Sequence, residues 1–289
     1  MEFIYCFSKS VWVSIRRAMA MMLTASVWLS GGQMVSTGKH RLYLNCSGQN
    51  SGPTVVLEAG AGASSSNFAK VQGQIENFAH VCSYDRAGLG KSDKPTGQES
   101  EIGIVEDLHQ LLSNAHEAGP YVLVGHSLGG VYVRAFQRRY PQLVEGLVLV
   151  DSSHEEQLNR YTALSPELAR QFASQGGRYT YDDMYRLFGQ LRPGETLDWR
   201  VDLPIVVIEH KQPTPKAAAP SSEPTNALPA VDKTWHEMQV DLSHRSTCAQ
   251  LWEAPKEGHD IPDEQPELVV RAVRKVLTEI KNGCESAQQ

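Results

Sequence analysis

Residues 121–130 read YVLVGHSLGG: four strand-type residues run into a serine flanked by glycines, and VYVRAFQRRY follows with helical character. A strand that must turn at once into a helix forces the residue at the turn into a strained backbone conformation. That conformation pushes its side chain out at the top of a sheet. Gly125 and Gly129 leave room for neighbouring backbone at the crossing. Ser127 is therefore the candidate nucleophile, against the alternative of a glycine-rich turn that carries an idle serine.

The rest of the chain repeats the alternation of strand and helix. Strand runs are read at 42–46, 54–60, 80–85, 146–151, 203–209 and 247–254, the first two as an early hairpin across SGQNSGP. Helical spacing is read at 67–78, at 101–118 and from about 266 to 280. Near-continuous apolar strands separated by helix-length segments predict an α/β fold, a mostly parallel sheet flanked by helices on both faces. Two segments break the rhythm. Residues 154–200 carry Tyr, Arg, Leu and Phe at helical spacing without a strong strand and are read as a small helical cap. Residues 212–230 hold five prolines and are read as an extended loop.

The 289 residues are 41% hydrophobic and 21% charged, a globular composition with room for one large domain. A net charge of −6 without a Lys/Arg cluster argues against a nucleic-acid partner. Residues 1–32 stand apart: Arg16 and Arg17 precede an apolar run at 18–29, and Ser30, Gly31 and Gly32 supply small residues for cleavage. They are read as a signal peptide or an N-terminal anchor ahead of a domain at 33–289. The expected location is exported, periplasmic or secreted, with membrane contact only through this segment if it is retained. Histidines and cysteines lack metal-ligand spacing and no phosphate-cradling loop follows a first strand, so neither cofactor nor metal is expected.

LEAGAG, YDRAGLGKSD, GHSLGG, VLVDSSH and EGHDIPDEQPE together resemble the α/β-hydrolase superfamily, in particular its bacterial serine esterase, lipase and aminopeptidase-like branch, over residues 39–280. The resemblance implies an eight-stranded sheet whose second strand is antiparallel, a nucleophile after strand five and a histidine after strand eight.

A serine hydroxyl needs a base to take its proton. Of ten histidines, His259 fits best: it follows the last strand, beside Gly258, and the order Ser then His matches this fold. His126 is expected to pack or hydrogen-bond, and His154 and His210 to lie on the rim. The acid that orients the imidazole departs from the commoner family pattern, because the strand at 203–209 is followed by His210, Lys211 and Gln212. Asp151, at the end of the preceding strand, is the choice, although it could instead cap the turn that follows. Glu209 is the runner-up, and Glu223 is the first later acid. The backbone amides of Ala61 and Leu128 are expected to form the oxyanion hole, Ala59 standing where relatives carry His. Asp85 and Arg86 are expected to pair and hold a loop.

The resulting reading is a serine hydrolase that cleaves an ester or related acyl bond of a small molecule through an acyl-enzyme. A peptidase or amidase on the same triad is the enzymatic alternative, and a non-catalytic small-molecule binder of the same fold is the third. Loss of the leader would remove Cys6 and leave four cysteines, an even number that suits an oxidising compartment. The strand order implied by the resemblance then brings Cys46 near Cys82, and Cys284 back toward Cys248.

Overall fold

A computed structural model describes residues 31–49, 52–174, 181–188, 200–211 and 228–284. The leader expectation falls almost wholly outside these residues, as does Glu223. The sheet has eight strands: β1 Gln33–Ser36, β2 Arg41–Ser47, β3 Thr54–Glu58, β4 Val81–Tyr84, β5 Tyr121–His126, β6 Val144–Val150, β7 Ile205–Glu209 and β8 Ala249–Glu253. Their spatial order is β1-β2-β4-β3-β5-β6-β7-β8, antiparallel at β1/β2 and β2/β4 and parallel from β4 onward.

The expected hairpin between β2 and β3 does not form, because β4 lies between them. The burial patterns give the reason. All five residues of β3 are buried, as suits a strand with parallel neighbours on both sides and helices on both faces, whereas β2 is only partly buried near the sheet edge. β1 escaped the sequence reading: four residues, three of them exposed, carry too little apolar alternation to register as a strand.

The α-helices among the described residues are α1 Ala69–Ile75, α2 Glu101–Asn114, α3 Leu128–Arg139, α4 Gln157–Leu164, α5 Pro166–Ser174, α6 Tyr181–Leu187, α7 Leu228–Ser243, α8 Ile261–Glu264 and α9 Pro266–Asn282. α2 begins where Ser100 Oγ accepts from the Gly103 amide, and it ends four residues earlier than its apolar spacing suggested, His116 being left-handed at φ 61°. One core layer joins the sheet to Val105, Leu108 and Leu112 of α2 and to Val133 and Phe136 of α3. The other joins it to Val71 and Ile75 of α1 and to Leu268, Val269, Val273 and Val276 of α9. Each such Val or Leu stabilises the fold by about 1.5–3 kcal/mol through its burial. α4, α5 and α6 occupy the segment read as the cap, and Leu158, Ala173, Met184 and Leu187 pack there against Leu128, Val131 and Tyr132 of α3. The proline-rich loop was extended too far, since Leu228–Ser243 is helical and Pro229 falls in the first turn, where a missing amide costs nothing.

Candidate active site

The parallel strands all direct their carboxyl ends to one face, and there β5 runs directly into Ser127 at φ 52°, ψ −123°. A non-glycine residue so placed stores about 1–3 kcal/mol, which the surroundings must enforce. Here they do. A Cβ on Gly125 would lie 2.6 Å from Gly129 O and from Gly130 Cα, and one on Gly129 2.4 Å from Glu58 O, so β3, β5 and α3 meet backbone to backbone. The Ser127 amide donates to Val150 O at 3.0 Å, and its carbonyl accepts from Gly130 N and Ser153 N.

Asp151 follows β6 at φ 42° and is fully buried. Four donors converge on its carboxylate: His259 Nδ1 at 2.5 Å, His210 Nδ1 at 2.9 Å, the His210 amide at 3.1 Å and Trp235 Nε1 at 2.8 Å. Burial alone would raise this carboxyl, but hydrogen bonds from His210 and His259 outweigh it and hold the group well below the usual carboxylate range. The ionised acid fixes the proton of His259 on Nδ1 and leaves Nε2 as the basic nitrogen. His259 is reached through Gly258 at φ 116°, and its side chain is half exposed.

His126 donates from Nε2 to the His259 carbonyl at 2.8 Å and so ties the loop after β8 to the end of β5. Burial, followed by the charge of His259, lowers its pKa to about 4, which keeps the ring neutral. The runner-up acid, Glu209, sits with His236 Nδ1 at 2.9 Å rather than with His259. His154 and His210 are not rim residues, since both are buried, His154 against Asp241 at 2.8 Å and His210 against Asp151.

The turn after β3 brings Gly60 against Ser127, where a Cβ would lie 3.2 Å from Ser127 Cβ. Arg86 shapes this turn. It does not pair with Asp85 as expected but with the buried Glu58, and it also donates to the carbonyls of Ala59 and Gly60. Glu58 takes a further hydrogen bond from Tyr84. Asp85 instead accepts from the amides of Ser65 and Lys91. The Gly60 carbonyl and the Ala61 amide belong to one peptide plane and point opposite ways, so holding the carbonyl on Arg86 turns the amide away from it. The missed signal was Glu58: an acid closing a fully buried strand requires a cation, and the nearest arginine in the next loop supplies it.

Ser127, His259, Ala61 and Leu128 line one cavity of ≈350 Å3, with Phe172, Ala173 and Met184 on the cap side. Asp151 stands behind His259. A second buried network anchors the loop after Asp151: Arg134 of α3 donates to Glu155, Ser152 Oγ and the Ser153 carbonyl at 2.7–2.8 Å. α3 and the loop after Asp151 are thereby fastened to one another.

The family described as alpha/beta hydrolase fold matches residues 53–190. An enol-lactonase from Burkholderia xenovorans superposes with a TM-score of 0.60 at 16% identity, covering 86% of this chain and all of its own. An esterase from Thermogutta terrifontis superposes with a TM-score of 0.58 at 20% identity, covering 86% and 98%. The Hormonema carpetanum protein named "Probable transporter efuK" is 24% identical over 294 residues, covering 84% of this chain; the chain spans only 42% of that relative's length. With an eight-stranded sheet in this order and the family match across the Ser127 turn, the chain has the α/β-hydrolase fold.

Proposed function

We propose that this chain is a serine hydrolase that cleaves ester bonds of small, largely apolar acyl substrates. The observation that carries the reading is the 2.5 Å hydrogen bond from His259 Nδ1 to the buried Asp151, with His259 and Ser127 on one cavity. In this reading His259 Nε2 takes the Ser127 proton as Oγ attacks the acyl carbonyl, and Asp151 stabilises the imidazolium that results. The amides of Leu128 and Ala61 receive the oxyanion; each such donor is worth about 3–4 kcal/mol at the transition state. His259 then protonates the leaving alcohol, and water, activated by the same nitrogen, releases the acid from Ser127. Phe172, Ala173 and Met184 offer the acyl chain an apolar wall, while Asn67, Ser153 and Asp260 add polar groups to the same lining.

Export belongs to the same proposal. The Cys46–Cys82 and Cys248–Cys284 disulfides suit an oxidising compartment, as does the character of residues 1–32. Among the described residues no helix is long and apolar enough to cross a membrane.

A fluorophosphonate probe should label the protein at Ser127, and Ser127→Ala should abolish both labelling and turnover of p-nitrophenyl esters while leaving the circular dichroism unchanged. Wild-type turnover in Ser127→Ala, or faster cleavage of p-nitroanilides than of the matched esters, would overturn the reading.

A further inference from the structure

The end of the sheet opposite the cavity carries a second cluster that the proposed chemistry does not use. Cys46 of β2 and Cys82 of β4 face each other across the antiparallel pair and are joined as a disulfide, with Cα atoms 4.1 Å apart. Two residues before Cys82, His80 projects to the same face of the extended chain. Its Nε2 lies 2.8 Å from Glu117 Oε2 and 3.8 Å from Cys82 Sγ. One donor atom from each of Cys46, His80, Cys82 and Glu117 falls within 4.8 Å of the others. All but Cys46 are buried.

We propose that reducing Cys46–Cys82 turns this cluster into a tetrahedral binding site for Zn2+, held by two thiolates, the His80 imidazole and the Glu117 carboxylate.

Three features argue for it. The donor set is two sulfurs, one nitrogen and one oxygen, a borderline-soft combination that suits Zn2+ and disfavours Mg2+ and Ca2+. Metal–ligand bonds of about 2.0–2.3 Å in a tetrahedron place donor atoms about 3.3–3.8 Å apart, so these groups need only a small adjustment once the sulfurs separate. The surrounding chain also positions the ligands in advance. His80 Nδ1 lies 3.4 Å from the Gly48 carbonyl, an outer partner that leaves Nε2 for the metal. Gly48 sits so close to the chain entering β4 that a Cβ there would lie 2.1 Å from Ala79 O. Glu117 is fixed from both of its peptide groups, its amide donating to Leu112 O at 2.9 Å and its carbonyl accepting from Tyr121 Oη at 2.6 Å.

The chemistry balances with an external dithiol as the reductant. An external dithiol breaks the S–S bond, gives two electrons and two protons to the two sulfurs, and is itself oxidised to a disulfide. Zn2+ then displaces both thiol protons and any proton on His80 Nε2. Three anions around one dication leave a net charge of −1, whereas the same buried thiolates without a cation would be strongly disfavoured. Oxidised, the cluster is closed by the disulfide and the His80–Glu117 pair; reduced, it is closed by the metal. The proposal does not depend on the esterase reading, because the cluster lies at the entry ends of β4 and β5 and the cavity at their exit ends.

The test uses the full chain with Cys6, Cys248 and Cys284 replaced by Ser, reduced by a dithiol and titrated anaerobically with Co2+. One Co2+ should bind per reduced chain, with a thiolate-to-cobalt charge-transfer band and the d–d bands of a tetrahedral site, and Zn2+ should displace it. The oxidised protein should show neither band. Cys82→Ser should remove the charge-transfer band, and His80→Gln and Glu117→Gln should each weaken binding at least about tenfold. Absence of stoichiometric uptake by a reduced chain that keeps its circular dichroism would overturn the proposal. So would affinity unchanged in both His80→Gln and Glu117→Gln, which would mean that two thiols alone capture the ion. A reduced chain that unfolds and is refolded by neither Co2+ nor Zn2+ counts equally against it, since binding and folding are coupled at such sites.

Discussion

His126 makes the stability of this protein depend on pH in a way that can be isolated. The ring is buried beside Ser127, and burial, reinforced by the charge of the neighbouring His259 4.8 Å away, lowers its pKa to about 4. An unfolded histidine titrates near 6.5, so between about pH 6.5 and 4 the unfolded chain binds a proton that the folded chain refuses. The sign follows: the contribution is complete above pH 6.5 and is lost as pH falls toward 4. The 2.5-unit gap, at 1.36 kcal/mol per unit, amounts to about 3 kcal/mol. Other groups titrate as well. His154 is also lowered by burial and acts in the same direction, while His80 and His210, both raised, act in the opposite one. The difference between wild type and His126→Gln removes these common terms. Urea unfolding of both proteins at pH 7, 5.5 and 4 should show the stability advantage of the wild type shrinking by about 3 kcal/mol across the series. Parallel curves would refute the argument and imply that His126 charges in place.

Asp151→Asn presents an amide to donors that need an acceptor and stabilises the wrong His259 tautomer, so ester turnover should fall about 10⁴-fold. Adding His210→Asp restores a carboxylate one strand over and should recover part of the loss, whereas Glu209→Gln alone should change little; a modest effect of Asp151→Asn in steady-state kinetics would reject the assignment. Arg86→Met leaves Glu58 buried without its cation and should cost about 3–5 kcal/mol in urea unfolding. The double variant Glu58→Gln/Arg86→Met should regain stability but not kcat, because the Gly60 carbonyl still lacks its anchor; full recovery of kcat would show that Arg86 does not orient the turn. Cys248→Ser/Cys284→Ser opens a loop closed over a 36-residue separation and should lower stability by about 2–4 kcal/mol without altering turnover, as thermal unfolding and ester kinetics would show.

What the sequence disclosed was local or tied to strand ends. The Ser127 turn is written in ten consecutive residues, and Asp151 and His259 each follow an apolar run whose direction is fixed by the parallel sheet. Pairings that depend on three-dimensional choice were not legible. Arg86 has Asp85 beside it in sequence and still selects Glu58, because Asp85 is already engaged by two amides and Glu58 is a buried charge with far more to gain. β2 stands next to β3 in sequence, yet the pairing goes to β4, a partner that only the finished sheet supplies. The metal-capable cluster was invisible for the same reason: Cys46 and Glu117 come from separate elements, and only the His80-Val81-Cys82 alternation on one strand hinted at it.

The buried Asp151 carboxylate follows β6, an interior strand between β5 and β7. Arg134 fastens that strand's exit to α3, so Ser127 and Asp151 follow neighbouring strands that one buried cation ties together. The chain that leaves β7 contributes His210, whose amide and ring both donate to the Asp151 carboxylate. A change at His210 therefore reaches His259 without touching it, through the acceptor that the two histidines share.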